Sequence, residues 1–266
     1  MIISRLAPTP NGDIHWGNLM NFILTWVFIK QNNGQLILRF DDIDQDRCEL
    51  KYANHTKEIL NFLGIDYETE CSGQLSKVSH YKSLLSSIPH YVCTCSRQDI
   101  FKRTGSYHYD GYCRSENLVY TAQASSIRFL SIAPERDFVL WRKEDLPAYH
   151  LTSIKDDIDM NITHVIRGED LLESSQIQVE IMKHLLVENK IQFIHHQLLQ
   201  NKSGEKLSKS RDDGDIYKRL KDGSSAAEIL SELAQKMSLP KGDFSSPQDF
   251  LKLNINDFLV ERLDRI

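Results

Sequence analysis

The sequence predicts an α/β protein built on a parallel sheet, and three stretches carry that prediction. Residues 1–4 form a short apolar run that reads as a strand, residues 19–29 are mostly apolar and read as a buried helix, and residues 35–40 read as a second strand entered after the turn Asn32-Asn33-Gly34. Strand, helix and strand within about forty residues make a βαβ unit, which crosses over right-handed and leaves its strands parallel.

The chain has 266 residues, enough for one large domain or two smaller ones, and its 41% hydrophobic and 26% charged residues are those of an ordinary globular protein. No apolar run approaches the roughly 18 to 20 residues of a membrane span, and the N-terminus lacks the basic segment and cleavage site of an export signal. Five cysteines, an odd number, point to reduced thiols or a metal site rather than a disulfide framework. A cytoplasmic protein with no membrane partner is expected. The net charge of -5 gives no overall basic footprint for nucleic acid, although a local patch would suffice.

Residues 5–18, Arg5-Leu-Ala-Pro-Thr-Pro-Asn-Gly-Asp-Ile-His-Trp-Gly-Asn18, join the first strand to the first helix. Such a loop brings backbone N–H groups and the positive end of a helix dipole to the rim of a parallel sheet, where a phosphate can sit. His15 and Asn18 add side-chain donors, and Gly17 leaves room for a ligand. The spacing matches neither the dinucleotide glycine fingerprint nor the P-loop, so a different nucleotide fold is implied unless this is an ordinary βα loop.

The second strand runs into Asp41-Asp42-Ile43-Asp44, carboxylates where open α/β sheets place ligands, or else a solvated turn. Residues 52–63 read as a helix with Ile59, Leu60 and Leu63 inward, closed by Gly64 as a C-cap. From about 67 to 145 the pattern breaks into short elements, as in an inserted subdomain. Within it Cys93, Cys95 and Cys113, with Tyr109, His108 or His90 as a fourth ligand, could complete a tetrahedral zinc site; buried free cysteines are the alternative.

Residues 146–154 resume strand character, and 162–166 form a strand-like run ending at Arg167. The adjacent carboxylates Asp156 and Asp157, on a strand or turn, would point different ways and are not expected to act as an acid/base pair. Residues 173–186 read as an amphipathic helix bearing Ile177, Ile181 and Leu185, and Phe193-Ile194 leads to His195-His196. The polar loop 201–210 carries Lys206 and Lys209, which are either solvated or part of a mobile cationic loop closing over phosphates. Helical patterns follow at 225–237 and 247–253.

His15-Trp-Gly-Asn18 and Lys206-Leu-Ser-Lys-Ser210 together resemble the paired motifs of class I aminoacyl-tRNA synthetases. Arg5-x-Ala-Pro-Thr-Pro-x-Gly, Gly34-x-x-Ile-Leu-Arg-Phe-Asp-Asp-x-Asp, Tyr149-His-Leu and Thr163-His-Val-Ile-Arg-Gly-Glu-Asp170 look like the glutamyl-tRNA synthetase catalytic domain. A truncated form with Cys93, Cys95, Tyr109 and Cys113 at matching positions is similar to the glutamyl-queuosine tRNA(Asp) synthetase family. The resemblance implies a Rossmann-like catalytic domain in two halves, 1–70 and 146–211. An inserted subdomain at 71–145 with a zinc site and a short helical C-terminal region at 212–266 would complete it, without an anticodon-binding domain.

It further implies a monomeric ligase that activates L-glutamate with ATP and Mg2+ and transfers it to queuosine in the anticodon loop of tRNA(Asp). His15, Asn18, Lys206 and Lys209 would be catalytic, with His15, Gly17, Asn18 and Lys209 on ATP. Arg5, Ala7, Thr9, Asp41, Tyr149 and Arg167 would contact glutamate, while Cys93, Cys95, Tyr109 and Cys113 would hold Zn2+. Asp41 stands where the family usually has Glu, Thr9 where Ser is common, and Trp16 is bulkier than usual; these departures bear on the identity of the amino acid. The competing readings are a glutamyl-tRNA synthetase-like enzyme with another acceptor and a non-catalytic binding protein descended from a synthetase. A nucleotidylyltransferase would share the fold and a similar loop, but not the combination of Arg167-Gly-Glu-Asp with Lys206-Leu-Ser-Lys-Ser.

Overall fold

A computed structural model describes residues 1–185, 191–199, 215–240 and 242–263. In chain order these form β1 (Ile3–Leu6), α1 (Trp16–Gln31), β2 (Gln35–Arg39), α2 (Leu50–Leu63), β3 (Thr69–Cys71), α3 (Val78–Ser83), β4 (His90–Cys93) and α4 (Arg97–Thr104). They continue as β5 (Ser126–Phe129), β6 (Val139–Trp141), α5 (Tyr149–Asp159), β7 (His164–Gly168), α6 (Leu172–His184), β8 (Gln192–His196), α7 (Ile216–Lys221), α8 (Ala226–Lys236) and β9 (Leu259–Leu263). Two compact units result: the first takes Met1–Gly73, Asn161–Ser175 and Asn189–Ile266, the second Gln74–Met160 and Gln176–Glu188. The second unit includes α5 and, from Gln176 onward, α6.

In the first unit, α1 buries Leu19, Met20, Phe22, Ile23, Leu24, Trp26, Val27 and Ile29. A helix apolar almost all round belongs inside a core, and each such side chain contributes about 1.5–3 kcal/mol on burial. Thr25 fits there because its hydroxyl donates to the Asn21 carbonyl at 2.7 Å. At the turn after α1, a Cβ on Gly34 would lie 2.8 Å from the Ile2 carbonyl oxygen and 3.0 Å from Ile29 Cδ1, so only glycine fits.

Strands β1, β2 and β3 are parallel, with Arg5 opposite Ile37 and Ile37 opposite Thr69. Strands β7 and β8 are also parallel, with Arg167 opposite His195. Thr163 joins these two groups: its N–H donates to the Ile3 carbonyl at 2.9 Å, and Ile3 N–H donates to Thr163 Oγ1 at 2.9 Å. The expected parallel sheet is present. The C-terminal region is helical at α7 and α8, but β9 pairs antiparallel with β8 and was not legible in a five-residue stretch of mixed polarity.

The second unit holds an antiparallel sheet in which β4 pairs with β5 and β5 with β6. Residues 146–154, expected as strand, instead turn at Asp145 (φ 58°) and enter α5. Leu151 and Ile154, three apart and fully buried, mark a helical stripe that the β-branched Thr152 and Ile154 disguise. Asp156 and Asp157 thus lie on a helix, not on a strand or turn, and both are buried. Asp156 accepts from Gln74 at 2.8 Å, Tyr81 at 2.9 Å and Lys77 at 3.2 Å, a structural task in keeping with no acid/base role.

Asp137 is the corresponding hub beside β6. Its carboxylate accepts from Arg114 at 2.6 and 2.7 Å, Tyr91 at 2.7 Å and Ser131 N–H at 3.0 Å. Burial alone would raise this carboxyl, but the Arg114, Tyr91 and Ser131 donors outweigh it and hold it below its ordinary value.

Two outcomes follow for stability. Gly64 closes α2 in the left-handed region at φ 74°, with Ile65 N–H bonded to the Leu60 carbonyl at 2.9 Å, and a Cβ there would meet only Pro247 at 3.5 Å. Gly64→Ala should therefore cost the backbone strain alone, about 1 kcal/mol by urea unfolding. For Asp137, whose folded pKa is depressed, the stabilisation is present above the unfolded value near 4 and is lost as pH falls through the folded value. Melting curves between about pH 2 and 6 should show an acid-side loss of stability that Asp137→Asn lacks.

Candidate functional site

The start of α1 in the first unit is built around His15. Its backbone is extended (φ -105°, ψ 172°), and its Nδ1 accepts from Gly17 N–H at 3.0 Å and Asn18 N–H at 3.3 Å. Asn18 Oδ1 accepts in return from His15 N–H at 3.2 Å, closing a capping box in which histidine takes the place usual for serine or threonine. An Nδ1 that accepts must carry no proton, so the ring proton sits on Nε2 and makes that atom a donor. A Cβ on Gly17 would lie 3.0 Å from His15 Cε1 and 3.2 Å from Nδ1. The room that Gly17 leaves is thus taken by the His15 imidazole.

The loop before this cap is tied down on several sides. Pro8 carbonyl accepts from Asp41 N–H at 3.1 Å, Pro10 carbonyl accepts from Glu49 N–H at 2.9 Å, and Ile14 carbonyl accepts from Ile216 N–H at 3.0 Å. Asp13 contacts His55 Nδ1 at 2.6 Å, and the His55 ring stacks on Tyr217 at 3.5 Å. Trp16 is buried beneath Arg219 and Lys236, whose cationic ends lie 5.1 and 5.0 Å from its ring. Its bulk is spent on the core.

Arg5 in β1, Arg167 in β7 and Asp41 just past β2 lie toward the C-terminal ends of their strands in the first unit, and all three are buried. Ala7 is half-buried and Thr9 exposed on the adjoining loop. Asp41 pairs with Arg39, Oδ1 to Nε at 2.7 Å. Arg167 donates to Ser175 Oγ and lies with its guanidinium 4.7 Å from the Phe193 ring, while Ser175 Oγ sits 2.6 Å from His195 Nε2. Two guanidinium groups on adjoining strand ends suit an anionic carboxylate, and the Asp41 carboxylate suits an ammonium. Tyr149 belongs to the second unit, where it opens α5 and is 37% exposed. Lys206 and Lys209 lie outside the described residues.

Arg39, Ser175 and His195 were not singled out for this site from the sequence. Arg39 could have been found, since a residue two before Asp41 on a strand shares its face. Ser175 and His195 gave no such signal, because their meeting with Arg167 depends on the pairing of β7 with β8.

In the second unit, Cys93 ends β4, Cys95 precedes the Ser96 cap of α4, and Tyr109 and Cys113 lie on the following loop. The three Sγ atoms all lie within 4.8 Å of one another. Cys95 and Cys113 sulfurs are 3.6 Å apart, and Tyr109 Oη is 3.5 Å from Cys93 Sγ and 2.9 Å from Cys113 N. A tetrahedral zinc ion, with bonds of about 2.3 Å to sulfur and 2.0 Å to oxygen, sets edges of about 3.8 Å between sulfurs and 3.5 Å from sulfur to oxygen. The donor set fits zinc. Of the alternative fourth ligands, His108 is exposed and His90 is also exposed with Nδ1 on the Ile88 carbonyl at 2.7 Å; neither joins the thiols. Burial pushes the Cys95 thiol up to about 11 against the lowering pull of Arg103.

Residues 1–117 and 116–233 match the family described as "tRNA synthetases class I (E and Q), catalytic domain". Among curated proteins, the chain is 28% identical to Glutamate--tRNA ligase of Wigglesworthia glossinidia brevipalpis over 87% of its own length and 55% of that protein. It is also 28% identical to Glutamate--tRNA ligase of Francisella tularensis subsp. novicida, over 88% of the chain and 57% of that protein. It thus spans a little over half the length of these relatives. A solved glutamate-tRNA synthetase from Elizabethkingia anophelis superposes with a TM-score of 0.75 at 20% identity, over 97% of this chain and 66% of that one, a likeness of fold. With the family match running through most of its length, the chain belongs to the class I (E and Q) tRNA synthetases, as part of their catalytic domain.

Proposed function

We propose that the protein activates L-glutamate with ATP and passes it to an RNA acceptor. The observation that carries this reading is the His15 cap at the head of α1, in the same unit as the buried Arg5, Asp41 and Arg167. An oxygen of the glutamate α-carboxylate forms a bond to the α-phosphorus as the bond to the pyrophosphate oxygen breaks, and pyrophosphate carries the electron pair away. Catalysis is then positioning and charge stabilisation. His15 Nε2–H and the Asn18 side-chain N–H donate to phosphate oxygens, and the positive end of the α1 dipole beside Gly17 favours their charge.

Arg5 and Arg167 hold carboxylate oxygens, Asp41 holds the ammonium, and Ala7 and Thr9 line the amino-acid pocket. Two N–H donors on a guanidinium suit a carboxylate and disfavour the neutral amide of glutamine. Lys206 and Lys209 would neutralise the departing pyrophosphate, and Mg2+ bound with ATP supplies further charge neutralisation. Cys93, Cys95, Cys113 and Tyr109 would hold Zn2+, which in a closed four-ligand site braces the fold.

For the acceptor, the gathered Cys-x-Cys and Tyr-x-x-x-Cys set supports queuosine in tRNA(Asp), since this is the pattern shared with the glutamyl-queuosine synthetase family. A second reading, transfer to another tRNA acceptor, draws on the glutamate–tRNA ligases among the relatives. Reduced thiols at the metal centre favour a cytoplasmic setting, and the proposed unit of action is the monomer.

Pyrophosphate exchange into ATP should depend on glutamate and proceed without RNA; absence of exchange with every amino acid would leave only a binding protein. His15→Asn keeps a side chain that caps helices well but removes the Nε2 donor. It should leave stability within about 0.5 kcal/mol and lower turnover by about 10²–10³, and equal exchange by both proteins would overturn the phosphate role of His15. Labelled glutamate should enter queuosine-containing tRNA(Asp) and not the same tRNA without queuosine; equal labelling of both, or labelling of a tRNA 3′ end, selects the second reading.

A further inference from the structure

Of the three thiols, Cys93 and Cys113 are buried, but Cys95 is only partly so, and it is the leg of the cluster nearest water. Bound to zinc, three thiolates would leave the group with a net negative charge, which the buried positions of Cys93 and Cys113 stabilise poorly, and Cys95 is the leg that a countercharge can reach from the surface. A cation is held there. Arg103 Nη2 donates to Cys95 Sγ at 3.3 Å, and the same guanidinium makes a two-bond fork with Asp110, Nε to Oδ2 at 2.8 Å and Nη2 to Oδ1 at 2.9 Å. Its central carbon lies 4.4 Å from the Tyr112 ring.

Arg103 is therefore oriented by two neighbours before it reaches sulfur, and its position in the fold gives the contact a purpose. It stands in the last turn of α4, just after Cys95, while Asp110 and Tyr112 lie between Tyr109 and Cys113. One guanidinium thus joins the two segments that supply the ligands. Lysine could supply the charge but not the fork, since its single ammonium cannot donate in plane to a carboxylate and a sulfur together.

We infer that Arg103, set by Asp110 and Tyr112, is a positioning residue for the metal centre: it holds Cys95 in place and offsets the thiolate charge, and so governs how tightly zinc is retained. The inference rests on the zinc reading above. As a partly exposed ion pair, Arg103 with Asp110 contributes little to folding by itself, so the readout is metal affinity and release.

The experiment uses the full chain, with zinc content measured by elemental analysis and zinc affinity and release measured by competition with a chromophoric chelator. The native protein should carry one zinc, and Arg103→Ala should weaken binding by about 10- to 100-fold and speed release. Arg103→Lys should recover only part of the loss. Asp110→Asn, which keeps Arg103 but loosens its fork, should fall between native and Arg103→Ala, and it serves if Arg103→Ala does not fold. Lys102→Ala, on the same helix, should match the native protein. Native-like affinity in both Arg103→Ala and Asp110→Asn, with zinc still present at one per chain, overturns the role of Arg103 and leaves the zinc reading standing. A native protein with no zinc overturns both.

Discussion

The structure of the first unit depends on how a helix buried on nearly every side begins. The first N–H groups of any helix lack partners within it, and in α1 they stand at the edge of an apolar core where leaving them unmet is costly. His15 answers with a ring nitrogen. That choice fixes its tautomer, demands glycine at 17 to clear the ring, and recruits Asn18 to close the box. Trp16, immediately after the cap, begins the buried face. The same two side chains that satisfy the helix with their acceptors are proposed to meet phosphate with their donors, so folding sets their geometry before any ligand arrives.

The second unit also buries apolar side chains, among them Tyr81, Phe129, Trp141 and Leu151, but one part of it is held by different means. Its metal-ligand region has an apolar cluster of only Cys93, Ile100, Tyr109 and Cys113 with a few half-buried neighbours. The buried carboxylate of Asp137 ties Tyr91, which packs on this cluster, to Arg114 just after Cys113, and Asp156 gathers donors elsewhere in the unit. Small cores of this kind commonly rely on an added staple, and four zinc ligands drawn from two separated segments would supply one.

Much of this was legible because local pattern and tertiary fate agree. The apolar run after the first loop could only be an interior helix, Gly64 announced the end of α2, and the loop around His15 carried donors at a helix start. Illegibility had specific causes. Residues 146–154 carry β-branched side chains that imitate a strand, and only the spacing of Leu151 and Ile154 with Ile158 reveals α5. The strand β9 owes its existence to β8, and the contact of Arg167 with Ser175 and His195 exists only once β7 and β8 are paired. Arg103 looked like one more surface cation, because nothing in a sequence shows a guanidinium aimed at a sulfur.

The bond between Thr163 and Ile3 bears on how the chain comes to be folded. These residues are 160 positions apart, and the first unit is assembled from three stretches interrupted by the second. Bringing such distant segments together incurs a loop-closure entropy that local contacts do not, and topologies rich in distant pairings fold slowly. During synthesis β1, α1 and β2 emerge long before β7 and β8 exist to cover them. The apolar faces of α1 must then wait, exposed, while the intervening unit folds within the loop it closes, which makes the order of synthesis itself a constraint on this sequence.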